Sequence, residues 1–267
     1  MAEFSAKDVK ALRDATGAGM MDAKKALTES DGDFEAAASW LRERGLGKAA
    51  ERSDRENAEG AVAVATAGAA AALVELKSET DFVAKSPQFV SLAEKLATDV
   101  AANGEKVAEG YSEAIDDLKL TLKENIAIGR VLRFAAAPGN VLETYLHVQN
   151  GRGVNAVLVE LAGGNAELAH DIAVHIAFGR PNHVNRDEVP AEDVAAERSA
   201  LEAQTRNEGK PEQALPKIVE GRLDGWYKRV PGGVLVEQPY ARDDKQSVKQ
   251  VLGAAKVVRF AQAVIGG

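Results

Sequence analysis

The chain has no cysteine. This excludes a disulfide framework, a thiolate zinc site and a cysteine nucleophile together, and it fits a reducing, cytoplasmic setting. Aromatic residues supply only 5% of the sequence against a hydrophobic share of 45%, much of it Ala and Val, so a finely packed, helix-rich core is expected. Excess positive charge is also missing. With 33 Lys and Arg against 41 Asp and Glu, the formal charge is -8, and few cations are free to displace counterions from a phosphate backbone, so direct nucleic-acid binding is not expected. Long hydrophobic runs are absent too. The longest uncharged stretch, 61–74, is rich in Ala and Gly, is broken by Gly68, and falls short of the ~20 apolar residues of a spanning helix. The opening residues are interrupted by Glu3, Lys7, Asp8 and Lys10, unlike the apolar centre of a signal peptide, so neither export nor membrane association is expected.

Signs of catalysis are equally sparse. Gly17-Ala18-Gly19 lacks the downstream Lys and hydroxyl of a phosphate loop and reads as a turn. The imidazoles are His147, His170, His175 and His183; His170 and His175 are five apart and cannot share a helical face as a metal pair four apart would, so no metal site is expected. Carboxylates are scattered over amphipathic helices, where solvated faces explain them, and no acid and base pair stands out. No catalytic residue and no cofactor is assigned.

What is present is an α+β organisation. Residues 1–47 read as a three-helix module of the ubiquitin-associated type, with Val9 and Leu12, then Ala23 and Leu27, then Phe34, Ala37, Ala38 and Leu41 at helical spacing. Gly17 and Gly45 stand where left-handed helix ends belong, and Asp33 can cap the third helix. A highly charged linker, 48–60, follows. Then comes an internal repeat: Leu73-Val74-Glu75-Leu76 returns as Leu158-Val159-Glu160-Leu161. Each copy closes a β-hairpin, with first strands at 61–65 and 141–148 and Asn150-Gly151 as the second turn, and each leads into an amphipathic helix, 89–102 or 167–178. Two related core subdomains result, 61–140 and 141–267. A helix at 111–128 links them. The second contains a helix hairpin at about 190–228, built from 191–207 and 212–227, and a C-terminal module at about 232–267 with a last helix at 247–254.

The copies differ where strand meets helix. The second uses Ala162-Gly163-Gly164-Asn165, whereas the first inserts 77–88, which holds Thr80-Asp81-Phe82-Val83. A large ring in an added surface connection is a candidate anchor for a partner, and covering its own core edge is the other reading of the same residue.

Several segments, in order and over nearly the whole chain, resemble the elongation factor Ts family of guanine-nucleotide exchange factors. They include Leu12-Arg13-Asp14-Ala15-Thr16-Gly17-Ala18-Gly19-Met20-Met21-Asp22-Ala23, then Thr80-Asp81-Phe82-Val83-Ala84-Lys85, Glu124-Asn125-Ile126, Gly209-Lys210-Pro211, Val219-Glu220-Gly221-Arg222 and Glu237-Gln238-Pro239-Tyr240. Gly129 departs from the family, standing where an Arg is usual. The resemblance implies that the partner is elongation factor Tu, a GTPase, and that the chain promotes its release of GDP. It further implies that Thr80, Asp81, Phe82 and Val83 form a wedge that dislocates the partner's magnesium ion. By the same resemblance Arg13, Met20 and Met21 grip a second helix, while Leu122 and His147 lie near the wedge. One methionine is expected to pack inside the module and the other to meet the partner, where a flexible thioether suits contact. The modest helix hairpin gives no basis for assuming self-association. The competing function class is an adaptor whose ubiquitin-associated-type module binds a small partner, with the remainder as scaffold.

Overall fold

The computed structural model describes residues 4–266, so the first three residues of the expected module, Glu3 among them, and Gly267 lie outside it. Three helices open the described chain: α1 (Ala6–Thr16), α2 (Met20–Glu29) and α3 (Phe34–Ala50). Ser5 and Asp8 form a capping box on α1, Gly17 ends it at φ 67°, and Asp33 caps α3 through Ala36 N–H. Leu12, Ala23, Ala26, Leu27 and Ala37 close a small core. Gly45 does not end α3 as expected. The helix continues to Ala50 into the span expected as linker, because Gly45 lets it press against Leu120 at a spot where a Cβ would collide. Arg42 adds ion pairs to Asp117 (2.6 Å) and Glu113 (3.2 Å) across the same contact.

Next come β1 (Glu59–Ala67), β2 (Ala70–Ser78), the short α4 (Asp81–Ala84), α5 (Pro87–Asn103), a 3-10 turn (Glu105–Tyr111), α6 (Ser112–Leu122) and β3 (Ala127–Ala135). The expected helix through residue 128 stops at Leu122, where Lys123 takes the left-handed conformation at φ 61°; the buried Ile126 then leads into a strand. The second repeat holds β4 (Asn140–Gln149), β5 (Arg152–Ala162) and α7 (Ala166–Gly179). It continues through α8 (Ala191–Asn207), α9 (Leu215–Tyr227), β6 (Pro239–Tyr240), β7 (Asp243–Ser247), α10 (Val248–Leu252) and β8 (Lys256–Val264). Residues 212–214 form a 3-10 turn rather than the start of α9, and the last helix spans five residues where eight were expected.

Beside a small antiparallel β6-β7 pair, two three-stranded antiparallel sheets form among the described residues, ordered β1-β2-β3 and β4-β5-β8. Their third strands, β3 and β8, are absent from the hairpin-and-helix reading. Each arrives after a helical excursion and completes its sheet beside the central strand, so the repeat is larger than its sequence signature. Period-two alternation builds four layers. Val62, Ala71, Leu73, Ala156 and Leu158 face inward between the sheets. The alternate residues Ala61, Ala63, Ala72 and Val74 face outward onto α5, and Val157 and Val159 face α7. Both central strands are therefore buried on two sides, which is why they read as continuous apolar runs. The inner faces approach so closely at Gly153 that a Cβ there would strike the Val62 carbonyl.

The repeated glutamates take different partners. Glu160 is 1% exposed and accepts from Ala137 N–H (2.9 Å), Asn140 Nδ2 (2.8 Å) and Arg259 Nε (2.8 Å). Glu75 accepts from Arg130 N–H at 3.1 Å, and Gly129 lies flat against its carboxylate, where a Cβ would clash.

Candidate partner-binding site

The inserted connection is a helical turn, not an open loop. β2 ends at Ser78, which is fully buried and donates its hydroxyl to Thr80 O at 3.1 Å. Thr80 is the N-cap of α4: extended at φ -125°, it accepts Val83 N–H on its hydroxyl at 3.4 Å. Successive side chains of α4 then diverge. Ala84 is fully buried and Val83 half-buried against the core beneath α5. Phe82 points away and is 79% exposed, so the ring does not cover its own core edge.

Lys85 organises the exposed side of the turn. Its ammonium bonds Asp81 Oδ2 at 2.7 Å and lies 5.0 Å from the Phe82 ring centroid, close enough for a cation-π contact. That hydrogen bond, followed by the charges of Lys85 and Arg152, holds the Asp81 carboxyl below its ordinary range against a smaller opposing effect of desolvation. Arg152 follows the Asn150-Gly151 turn and is anchored to Gly60 O and to Glu59 (2.8 Å). The tip of the β4–β5 hairpin is thus within electrostatic reach of Asp81 on the α4 turn. His147 is exposed on that hairpin opposite Asn155, next to Val148, which is 56% exposed.

Leu122, the last residue of α6, is half-buried against the first core. Two residues later Glu124 hydrogen-bonds the Thr80 turn, so Thr80, Asp81, Phe82, Val83 and Leu122 share one neighbourhood. Glu124 and Asn125 were quoted above only as part of a motif. The signal that could have found them is an acid-amide pair directly after a helix end, facing an inserted turn with free N–H groups.

Arg13, Met20 and Met21 form a separate patch on α1 and α2. Arg13 is half exposed in the last turn of α1. Met20 and Met21 are 47% and 75% exposed, which corrects the expectation that one is packed inside. Met20 lies in line with Ala23 and Leu27 but one turn early, at the rim of the small core, and Met21 faces the opposite way. The module packs through α3 onto α6, whose end lies beside the Thr80 turn.

Among the described residues, no group of three His, Asp or Glu side chains could hold a metal ion, and no helix is long and apolar enough to cross a membrane. His170 is about half exposed beside Glu143, at 3.9 Å. His175 is fully buried between Gln238 and Ala241 N–H.

The fold is that of an α+β protein with a helical module ahead of two sheet-and-helix repeats, presenting one aromatic ring on a buttressed turn. The family model for elongation factor TS matches residues 79–267. Over the whole chain it is 47% identical to elongation factor Ts of Clavibacter michiganensis subsp. michiganensis, covering all of that protein. It is 45% identical to that of Acidothermus cellulolyticus and 42% identical to that of Mycolicibacterium vanbaalenii, covering all of this chain and 99% of each relative. The chain belongs to the elongation factor Ts family, whose members are translation elongation factors of protein biosynthesis.

Proposed function

We propose that the chain binds elongation factor Tu in its GDP form and promotes exchange of GDP for GTP without catalytic chemistry of its own, in the cytoplasm. Phe82 and Asp81 enter a crevice between two helices of the GTPase domain, displace the partner's magnesium ion and loosen the diphosphate. Arg13, Met20 and Met21 hold a second helix, and Leu122 and His147 border the wedge. The observation that carries this reading is the 79% exposure of Phe82 on a turn whose other apolar side chains are packed.

Burying a Phe supplies about 1.5–3 kcal/mol. A several-thousandfold acceleration of release requires roughly 5 kcal/mol, so the ring cannot supply it alone and the remaining contacts must be used partly to distort the partner. Linkage sets a further condition: if the factor weakens GDP affinity, GDP weakens affinity for the factor by the same ratio, and GTP binding can then displace it. The test is release of labelled GDP from purified elongation factor Tu by stopped flow, with and without the full chain. Acceleration that saturates with factor concentration is expected, and an unchanged release rate rejects the function. An adaptor would instead retain its partner when GTP is added.

A further inference from the structure

The Thr80 turn is held by residues outside the expected contact set. Glu79 and Thr80 lie between the end of β2 and the start of α4, and both backbone N–H groups donate to one oxygen, Glu124 Oε2, at 3.0 and 3.1 Å. The Thr80 hydroxyl donates to the other oxygen, Oε1, at 2.5 Å. The arrangement is reciprocal. Glu79 accepts Asn125 N–H at 2.7 Å and pairs with Arg55 at 3.4 Å. Asn125 in turn donates its side-chain amide to Ser53 O (3.0 Å) and Arg55 O (2.7 Å), on the segment leading from α3 to β1. One clasp therefore joins the connector from the N-terminal module, the turn that carries Phe82 and the end of α6.

A four-residue helix is too short to stabilise itself, since the cost of its first turn is not recovered by propagation. Hydrogen bonds to an ionised acceptor are about twice as strong as neutral ones, and Glu124 accepts three at the start of this turn. Orienting the ring on an ordered turn matters most in the strained state through which nucleotide leaves, where a small misplacement removes most of its effect. We propose that Glu124, supported by Asn125, is a positioning residue for nucleotide exchange: it fixes the Thr80–Ala84 turn in working geometry before the partner arrives and sets its orientation relative to the N-terminal module. The kinetic part rests on the exchange reading above, whereas the ordering of the turn is a property of the free chain.

The test uses full-length Glu124→Ala, Glu124→Gln, Thr80→Val and Thr80→Ser. In free protein, amide hydrogen exchange at residues 83–86 is expected to rise about tenfold (~1.4 kcal/mol) in Glu124→Ala and Thr80→Val. The melting midpoint should move by no more than about 4 °C. With elongation factor Tu, the maximal rate of GDP release should fall about tenfold (~1.4 kcal/mol) while the half-saturating concentration stays within about twofold. Thr80→Ser, which keeps the hydroxyl, should restore both readouts, and Glu124→Gln should fall between. Unchanged exchange at 83–86 in both Glu124→Ala and Thr80→Val overturns the proposal, as does a parallel loss of rate and affinity that Thr80→Ser fails to rescue. If the wild-type chain does not accelerate GDP release, the exchange reading falls, and the free-protein measurement still decides the clasp.

Discussion

Replacing Phe82 with alanine separates contact energy from folding energy. In the free chain the ring is 79% exposed, and the Lys85 ammonium lies 5.0 Å from its centroid. Truncation opens no cavity and removes one exposed cation-π contact, so the stability change should stay near 0.5 kcal/mol or below. The proposed contact buries the exposed four-fifths against the partner. Scaling about 1.5–3 kcal/mol for a whole Phe side chain by that fraction leaves roughly 1.2–2.4 kcal/mol, or about an eightfold to sixtyfold loss in catalysed GDP release. The assay is stopped-flow release of labelled GDP from elongation factor Tu across a range of factor concentrations, paired with a thermal melt of the free variant. Wild-type release would refute the wedge. A melt lowered by more than about 1 kcal/mol would show that the ring supports its own fold, contrary to its exposure.

Three further outcomes follow from other parts of the molecule. Changing Met20 and Met21 together to serine should weaken complex formation by calorimetry about tenfold while leaving the melt within about 0.5 kcal/mol, because both side chains are substantially exposed; unchanged affinity counts against a grip by the module. Burial lowers the His175 pKa from its ordinary 6.5, against a smaller upward pull from Gln238. The folded state thus favours neutral imidazole, and its contribution to stability is complete above pH 6.5 and is lost as pH falls towards the lower folded value. The urea midpoint should consequently drop as pH falls below 6.5 in the wild type and drop less in His175→Gln; equal slopes would exclude the buried imidazole as the cause. Glu160→Ala leaves Ala137 N–H, Asn140 and Arg259 without their shared acceptor and should cost about 2–4 kcal/mol by denaturant titration, below the full cost of a buried pair because Arg259 is partly exposed. A loss under about 0.5 kcal/mol would mean that water replaces the carboxylate.

Local signals were legible in the sequence wherever neighbouring residues decide the outcome. Helical spacing marks α1 and α2, Gly17 ends α1, the breakers Gly209 and Pro211 follow the end of α8, Asn150-Gly151 makes its hairpin turn with positive φ at both positions, and the two Leu-Val-Glu-Leu segments are both central strands. The inserted turn that carries Phe82 was also legible, because comparing the two copies isolates it, whereas the packed structure decided between an exposed ring and one folded onto its own core. Elements that depend on distant partners were not. β3 and β8 are edge strands interrupted by polar residues, and they become strands only because β2 and β5 offer unpaired backbone groups beside them. Gly45 looks like a helix stop until Leu120 supplies the surface that keeps α3 helical.

The amino-acid order by itself determined the repeat, the helical module and the inserted turn that carries Phe82, since periodicity, capping and turn chemistry act over a few residues. Tertiary structure alone decided that Met20 and Met21 both face outward, that Gly129 lies against Glu75, and that Glu124 and Asn125 reach across more than forty positions to hold the Thr80 turn. Burial and hydrogen-bond satisfaction are settled by whichever groups the packed sheets and helices bring together, and sequence distance carries little information about that.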